Sequence, residues 1–331
     1  NESGMIKLNT NENPYSPAPG VEKALKALDT DTLRLYPDPT AGDLVHSIAA
    51  FYGLKDEQVF TGVGSDDVLA MCFLTFFNSE KPILFPDITY SFYDVWADVY
   101  KIPYKTMPLD DNFRINKTDY FQENGGIIFP NPNAPTGVYE SNEMIEEIVK
   151  ANKNSIVIID EAYIDFGGES CIGLTEKYDN LLVVQTFSKS RSMAGMRIGY
   201  AIGNEKLIKY MNDVKFSINS YTMNHVTQVC GAAAVEDEEY FIETIKKITD
   251  VRENTKKELK KLGFTFTDSK SNFLFAAHDK VKAETIFNEL KSRKIYVRYW
   301  NKPRINNYLR ISIGTAKEME KLISALKEIV S

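Results

Sequence analysis

The sequence predicts an α/β fold: a large domain built on a mostly parallel sheet covered by helices, followed by a smaller α/β C-terminal domain. Three observations carry this. Short, almost wholly apolar segments such as 82–85, 155–159 and 181–186 read as strands buried on both faces. Segments of helical period alternate with them. The polar and glycine-rich clusters GVGSDD (62–67), PNPNAPTG (130–137), DEAY (160–163) and TFSKS (186–190) each follow such a strand. Ligands gather at the carboxyl ends of strands in open parallel sheets.

In chain order, residues 1–30 are rich in Asn, Pro and Ser and read as an N-terminal arm carrying a short helix over 21–28. A large domain over 31–225 follows. It opens with a helix over 41–52, where Leu44, Ile48 and Ala49 share one face. Strands are expected at 58–61, 82–85, 101–107, 126–129, 155–159, 181–186 and 198–202, with helices at 65–77, 90–100 and 140–151. A small domain is expected over 226–331. It begins with a charged amphipathic helix to Leu262, then strands at 271–276, 295–299 and 309–313, a helix at 282–291 and a last helix from Ala316. No repeat or low-complexity segment interrupts the chain.

The 331 residues suit about two domains. With 43% hydrophobic and 26% charged residues, the composition is that of a soluble globular protein. A net charge of −7 argues against a nucleic-acid or anionic-membrane partner. Cys72, Cys171 and Cys230 are scattered, as are His46, His225 and His278, so neither a disulfide framework nor a metal site is expected. The start, Asn1 to Lys7, is polar, and no apolar run approaches the ~20 residues of a membrane span. A cytoplasmic protein is expected, with some native N-terminal sequence missing or replaced ahead of Asn1.

Lys189 stands just past a buried strand. There its charge can be suppressed, leaving an amine that attacks an aldehyde. Hydroxyls at Thr186, Ser188 and Ser190, with Arg191 and Arg197, suit a phosphate. A solvated basic loop is the plain alternative. Asp160 ends a β-branched run and needs a cation or donor: a protonated pyridine, a following N-cap or an arginine. Tyr163 is either a donor to the same ring or a core tyrosine. Small residues at Gly62–Gly64 let an anion approach a helix start at Ser65 and Asp66. The third glycine of a dinucleotide turn is replaced by Asp67. Arg310, inside an apolar strand, and Arg298 call for a planar anion or snorkel to the surface.

In their order, these marks resemble fold type I pyridoxal-phosphate aminotransferases, and within them the histidinol-phosphate branch. The segments LNTNENP (8–14), LRLYPDP (33–39), GVGSDD, PDITYSFY (86–93), NPNAPTG, IIDEAYIDF (158–166), TFSKSRSMAGMRIGY (186–200) and LRISIGT (309–315) carry the likeness over nearly the whole chain. The resemblance implies a seven-stranded large-domain sheet, a pyridoxal 5'-phosphate cofactor and a homodimer, with the arm packed on the small domain or the partner. It implies Lys189 as the Schiff-base lysine, Asp160 at the pyridine nitrogen and Tyr163 at the ring oxygen. It places Ser65, Asp66, Ser188 and Arg197 at the phosphate, and Tyr90 on the ring face. Tyr36 would reach the partner subunit's cofactor, and Arg310 and Arg298 the substrate anion. The branch usually reads NPNNPTG; here its ring-oxygen asparagine is Ala134, so that contact is lost or passes to Asn133.

The implied reaction is L-histidinol phosphate plus 2-oxoglutarate giving imidazole-acetol phosphate plus L-glutamate, a step of histidine biosynthesis. A threonine-phosphate decarboxylase-like enzyme shares most of these motifs, and an aminotransferase acting on aromatic amino acids is a further alternative. A dinucleotide-dependent oxidoreductase using GVGSDD, and a non-enzymatic binding protein, are alternatives of other classes.

Overall fold

The computed structural model describes residues 4–331. The arm contributes strand β1 (Ile6–Lys7) and helix α1 (Pro19–Ala27). The large sheet and its cover are built from α2 (Gly42–Tyr52), β2 (Val59–Gly62), α3 (Ser65–Phe76), β3 (Ile83–Pro86), α4 (Tyr93–Tyr100), β4 (Tyr104–Met107), β5 (Gly126–Pro130), α5 (Asn142–Ala151), β6 (Val157–Asp160), β7 (Leu181–Thr186), β8 (Gly199–Gly203) and α6 (Glu205–Ile218). After α7 (His225–Glu236) and α8 (Glu238–Lys261) come β9 (Phe264–Phe266), β10 (Phe273–His278), α9 (Ala283–Ser292), β11 (Ile295–Tyr296), β12 (Arg298–Tyr299), β13 (Leu309–Ser312) and α10 (Ala316–Val330).

The seven strands of the large sheet run in the order β2-β8-β7-β6-β5-β3-β4. Neighbours are parallel except at β8, which is antiparallel to both β2 and β7. Strands β5, β6 and β7 are buried at every residue, as sheets covered on both faces require. Alternate residues of β6 divide between the two layers. Val157 and Ile159 face the core under α2 and α5, and Ile158 faces the core under α3 and α4. Asp160 and Glu161 therefore leave the strand toward opposite faces.

Several elements differ from the sequence expectation. Helices α6 and α7 and strands β1 and β9 were not anticipated. The expected strand 295–299 is two short strands, β11 paired with β1 and β12 paired with β13, because Val297 turns its own side chain into the core between them. Helix α4 starts at Tyr93, three residues later than its apolar pattern. Helix α7, read as the start of the small domain, packs on α1 and α2, and its Cys230, Ala234 and Val235 belong to the core of the large sheet. A second core forms around β10, β13, α8, α9 and α10. The arm divides between the two. Ile6 and Leu8 enter the second core, whereas Ala18 and Val21 enter the first.

Candidate active site

The carboxyl ends of β2, β5, β6 and β7 open on a cavity of about 270 Å³. Ser65 and Asp66 line it from the start of α3, Tyr90 from the turn before α4, and Ala134 from the loop after β5. Asp160 and Tyr163 line it from the end of β6, and Thr186, Ser188, Lys189 and Arg197 from the β7–β8 connection. Thr10 and Glu12 of the arm close one side.

Lys189 is held from the arm. Its Nζ donates to the Thr10 carbonyl at 2.9 Å, and Asn13 Nδ2 donates to the Lys189 and Ser190 carbonyls at 3.0 and 3.2 Å. The amine lies 5.9 Å from the centre of the Tyr163 ring. Asp160 is 5% exposed. It accepts the Tyr93 hydroxyl at 3.0 Å and the Ala162 amide at 3.3 Å. Neither donor brings positive charge, and burial pushes the Asp160 carboxyl up to about 6. A protonated pyridine nitrogen is the kind of partner that lowers it again. On the opposite face Glu161 is pushed up to about 7 by burial, although Ser170, the Cys171 amide and Gln185 all donate to it.

At the other end of the cavity, donors converge without a full complement of acceptors. Gly64 precedes α3 with a φ of 88°, and no side chain caps the helix, so the first-turn amides are open to an anion. Gly199 of β8 lies directly beneath; a Cβ there would collide with the backbone of Gly64 and Ser65. Arg197 reaches Ser188 Oγ at 3.4 Å and Asp66 at 3.5 Å. Both contacts are long, and the side chain is 43% exposed. Tyr90, which also lines the cavity, donates to Asp66 at 2.7 Å. A lysine amine, a buried carboxylate and the open amides of a helix start beside an arginine thus line one chamber. These residues fit pyridoxal phosphate.

A second cavity, of about 660 Å³, adjoins the first and shares Thr10, Tyr90 and Ala134 with it. Arg298 and Arg310 line it from directly paired positions of β12 and β13. Like charges placed opposite each other across a ladder repel, and neither arginine has an ion-pair partner among the described residues. Trp300 lies 5.4 Å from the Arg298 guanidinium and 5.2 Å from that of Arg310. Arg310 donates to the Asn9 carbonyl at 3.0 Å, while its buried Nε finds no acceptor. Burial and the Arg298 charge lower its pKa, against the Tyr163 contribution.

Four residues named from the sequence lie elsewhere, Asn133, Tyr36, Ser190 and Arg191: neither Ser190 nor Arg191 lines the first cavity, and the buried Arg191 guanidinium donates to the Ala234 carbonyl at 2.7 Å. Asn133 gives its amide to the Ile88 carbonyl and to Thr136 Oγ1, both at 3.0 Å, and does not line the first cavity; Ala134 does. Tyr36 is 80% exposed and stacks on Tyr221, with ring centres 4.5 Å apart. The sequence reading missed Tyr93, Asn11, Thr10 and Trp300. Of these, Thr10 and Asn11 lie in the segment LNTNENP, and Tyr93 ends PDITYSFY. Among the described residues, no group of His, Cys, Asp and Glu could hold a metal.

Residues 3–326 match the model of the family described as aminotransferase class I and II, and the chain belongs to that family of pyridoxal-phosphate-dependent transaminases. It is 55% identical to a histidinol-phosphate aminotransferase of Lactococcus lactis subsp. cremoris (strain MG1363), over 98% of this chain and 91% of that one. It is 51% identical to the enzyme of the same name from Clostridium botulinum (strain Okra / Type B1), over 99% and 92%. The crystal structure of a histidinol-phosphate aminotransferase from Sinorhizobium meliloti in complex with pyridoxal-5'-phosphate superposes with a TM-score of 0.90 at 23% identity, over 98% of this chain and 90% of that one. An L-threonine-O-3-phosphate decarboxylase from Porphyromonas gingivalis also superposes, with a TM-score of 0.82 at 18% identity over 98% and 99%. Fold alone therefore does not choose the reaction.

Proposed function

We propose that this chain is a histidinol-phosphate aminotransferase. It passes the amino group of L-histidinol phosphate to 2-oxoglutarate, giving imidazole-acetol phosphate and L-glutamate in histidine biosynthesis. The observation that carries the choice is the unneutralised pair Arg298 and Arg310 beside the cofactor chamber. One pair of guanidinium groups serves both half-reactions, taking first a phosphate monoester and then a dicarboxylate.

Bound pyridoxal phosphate supplies an aldehyde that exchanges amino groups and a protonated ring that draws off electron density. Asp160 holds the proton on the ring nitrogen, and Tyr163 donates to the ring oxygen. Ser65, Ser188, Arg197 and the α3 amides hold the phosphate, with Asp66 orienting Arg197 and Tyr90 covering the ring face. Lys189 Nζ would hold the cofactor and, when not so engaged, would take and return the proton at the substrate carbon bearing nitrogen. In a comparison of histidinol phosphate, phenylalanine and threonine phosphate with 2-oxoglutarate, histidinol phosphate should be the preferred donor. Arg310→Leu should lower its kcat/KM by about 10²–10³-fold. Preference for phenylalanine, or carbon dioxide from threonine phosphate, would reject the assignment.

We also propose a cytoplasmic homodimer. Supporting the first point, Cys72, Cys171 and Cys230 are free and buried, and no helix among the described residues is long and apolar enough to cross a membrane. Supporting the second, Tyr36 stands exposed with Leu33, Leu35 and Ile218. Tyr36 would then serve the partner's phosphate. Sedimentation equilibrium should give twice the 37.6 kDa of one chain; a monomer at working concentration would contradict it.

A further inference from the structure

We infer that Asn11 is a positioning residue that aims the phenolic proton of Tyr163 into the cofactor chamber. The inference rests on the cofactor reading above. Asn11 is 1% exposed and sits in the left-handed region, with a φ of 57°. Its backbone amide donates to Ser312 Oγ at 2.9 Å, and Ser312 returns its hydroxyl proton to Asn11 Oδ1 at 2.7 Å. The Asn11 carbonyl accepts from Asn272 Nδ2 at 3.0 Å. This reciprocal pair with Ser312 fixes which end of the amide is oxygen. The amide nitrogen is therefore the end that meets Tyr163, donating to its hydroxyl at 3.0 Å.

A phenol oxygen that accepts from Asn11 keeps its own proton for another acceptor. Tyr163 lines the chamber, and no acceptor for its proton occurs among the described protein groups. Accepting one hydrogen bond also strengthens the one donated. Asn11 thus sets both the direction and the strength of the Tyr163 donor. Its reach is long: it ties the arm to β13 of the small domain and to the loop after β6 of the large one. With Ala134 in the chamber wall and the Asn133 amide committed to Ile88 and Thr136, no loop asparagine after β5 supplies a second donor.

Two variants test it. Asn11→Gly deletes the side chain while keeping the φ of 57° comfortable. Asn11→Asp keeps the shape and presents Tyr163 with an acceptor, drawing the phenol proton away from the chamber. The charged groups around the chamber, Glu12, Asp66, Asp160, Lys189, Arg197 and Arg310, stay in place in both. The readout is the pH midpoint of the visible absorption band of the loaded protein, not turnover. A donor to the ring oxygen favours the deprotonated chromophore, so losing it raises the midpoint. Asn11→Asp should raise it by about one pH unit and Asn11→Gly by less. In a Tyr163→Phe background neither should move it further. Equal shifts with and without the Tyr163 hydroxyl, or no shift in either variant, would overturn the role of Asn11. A protein with no visible band at all would instead reject the cofactor reading beneath it.

Discussion

Replacing Lys189 with alanine should lower transamination by at least about 10⁴-fold, because on the proposed reading the same nitrogen holds the cofactor and moves the proton. The change is local. Lys189 gives one hydrogen bond, to the Thr10 carbonyl, and the side chain is only half buried, so the fold should survive. Borohydride should fix the cofactor to the parent protein, adding its mass to the peptide containing residue 189, and should fix nothing to Lys189→Ala. Lys189→Arg should not rescue turnover, because a guanidinium stays protonated. Turnover within tenfold of the parent in Lys189→Ala would refute the account of the chamber.

Asp160→Asn should act in opposite directions on activity and on stability. In the loaded enzyme it should cut kcat by about 10²–10³-fold, since an amide cannot hold a proton on the ring nitrogen as a carboxylate does. In the cofactor-free protein it should help. The Asp160 carboxyl is raised from 3.8 to about 6 in the folded chain, so between these values the folded state holds a proton that the unfolded state has released. Stability contributed by this group is therefore present at low pH and lost as pH rises through that window. Asp160→Asn removes this loss. Urea midpoints of the two cofactor-free proteins should diverge from about pH 4 to about pH 7, the variant becoming relatively the more stable. Parallel curves would show that Asp160 carries no such strain. Glu161, raised to about 7 by burial, is present in both proteins and cancels.

The parts of this fold written locally were legible in the sequence. Strands β5 to β7 announce themselves because a strand buried on both faces has no polar alternation to disguise it. Their order, and the reversal of β8, depend on pairings between distant segments and leave no local mark. Helix α6 buries Leu207, Ile208, Met211 and Lys215, and that lysine amid apolar residues blurred the amphipathic stripe. Strand β9 is three residues long, too short for any period.

The same division holds for the chamber. Asp160 ends β6 and Lys189 follows β7 by three residues, so each is marked by its own segment. Asn11 is not: its partners Tyr163 and Ser312 lie 152 and 301 residues away. Tyr93 sits in an apolar helix and packs into its core, apart from the hydroxyl that reaches Asp160. For the contact missing at Ala134 the sequence leaves two outcomes, loss or transfer to Asn133. The Asn133 amide instead divides between Thr136 of its own turn and the Ile88 carbonyl 45 residues away, a pairing that composition does not record.

The reversal of β8 has one more effect. Since β7 and β8 run in opposite directions, Lys189 and Arg197 belong to one hairpin, closed at its base where the Phe187 amide meets the Ile198 carbonyl at 3.0 Å. The spacing of Lys189 and Arg197 is thereby a property of a single short loop, like the jaws of a calliper. The outer cavity, by contrast, takes Arg298 and Arg310 from β12 and β13, so a substitution in those strands can reshape it and leave that spacing unchanged.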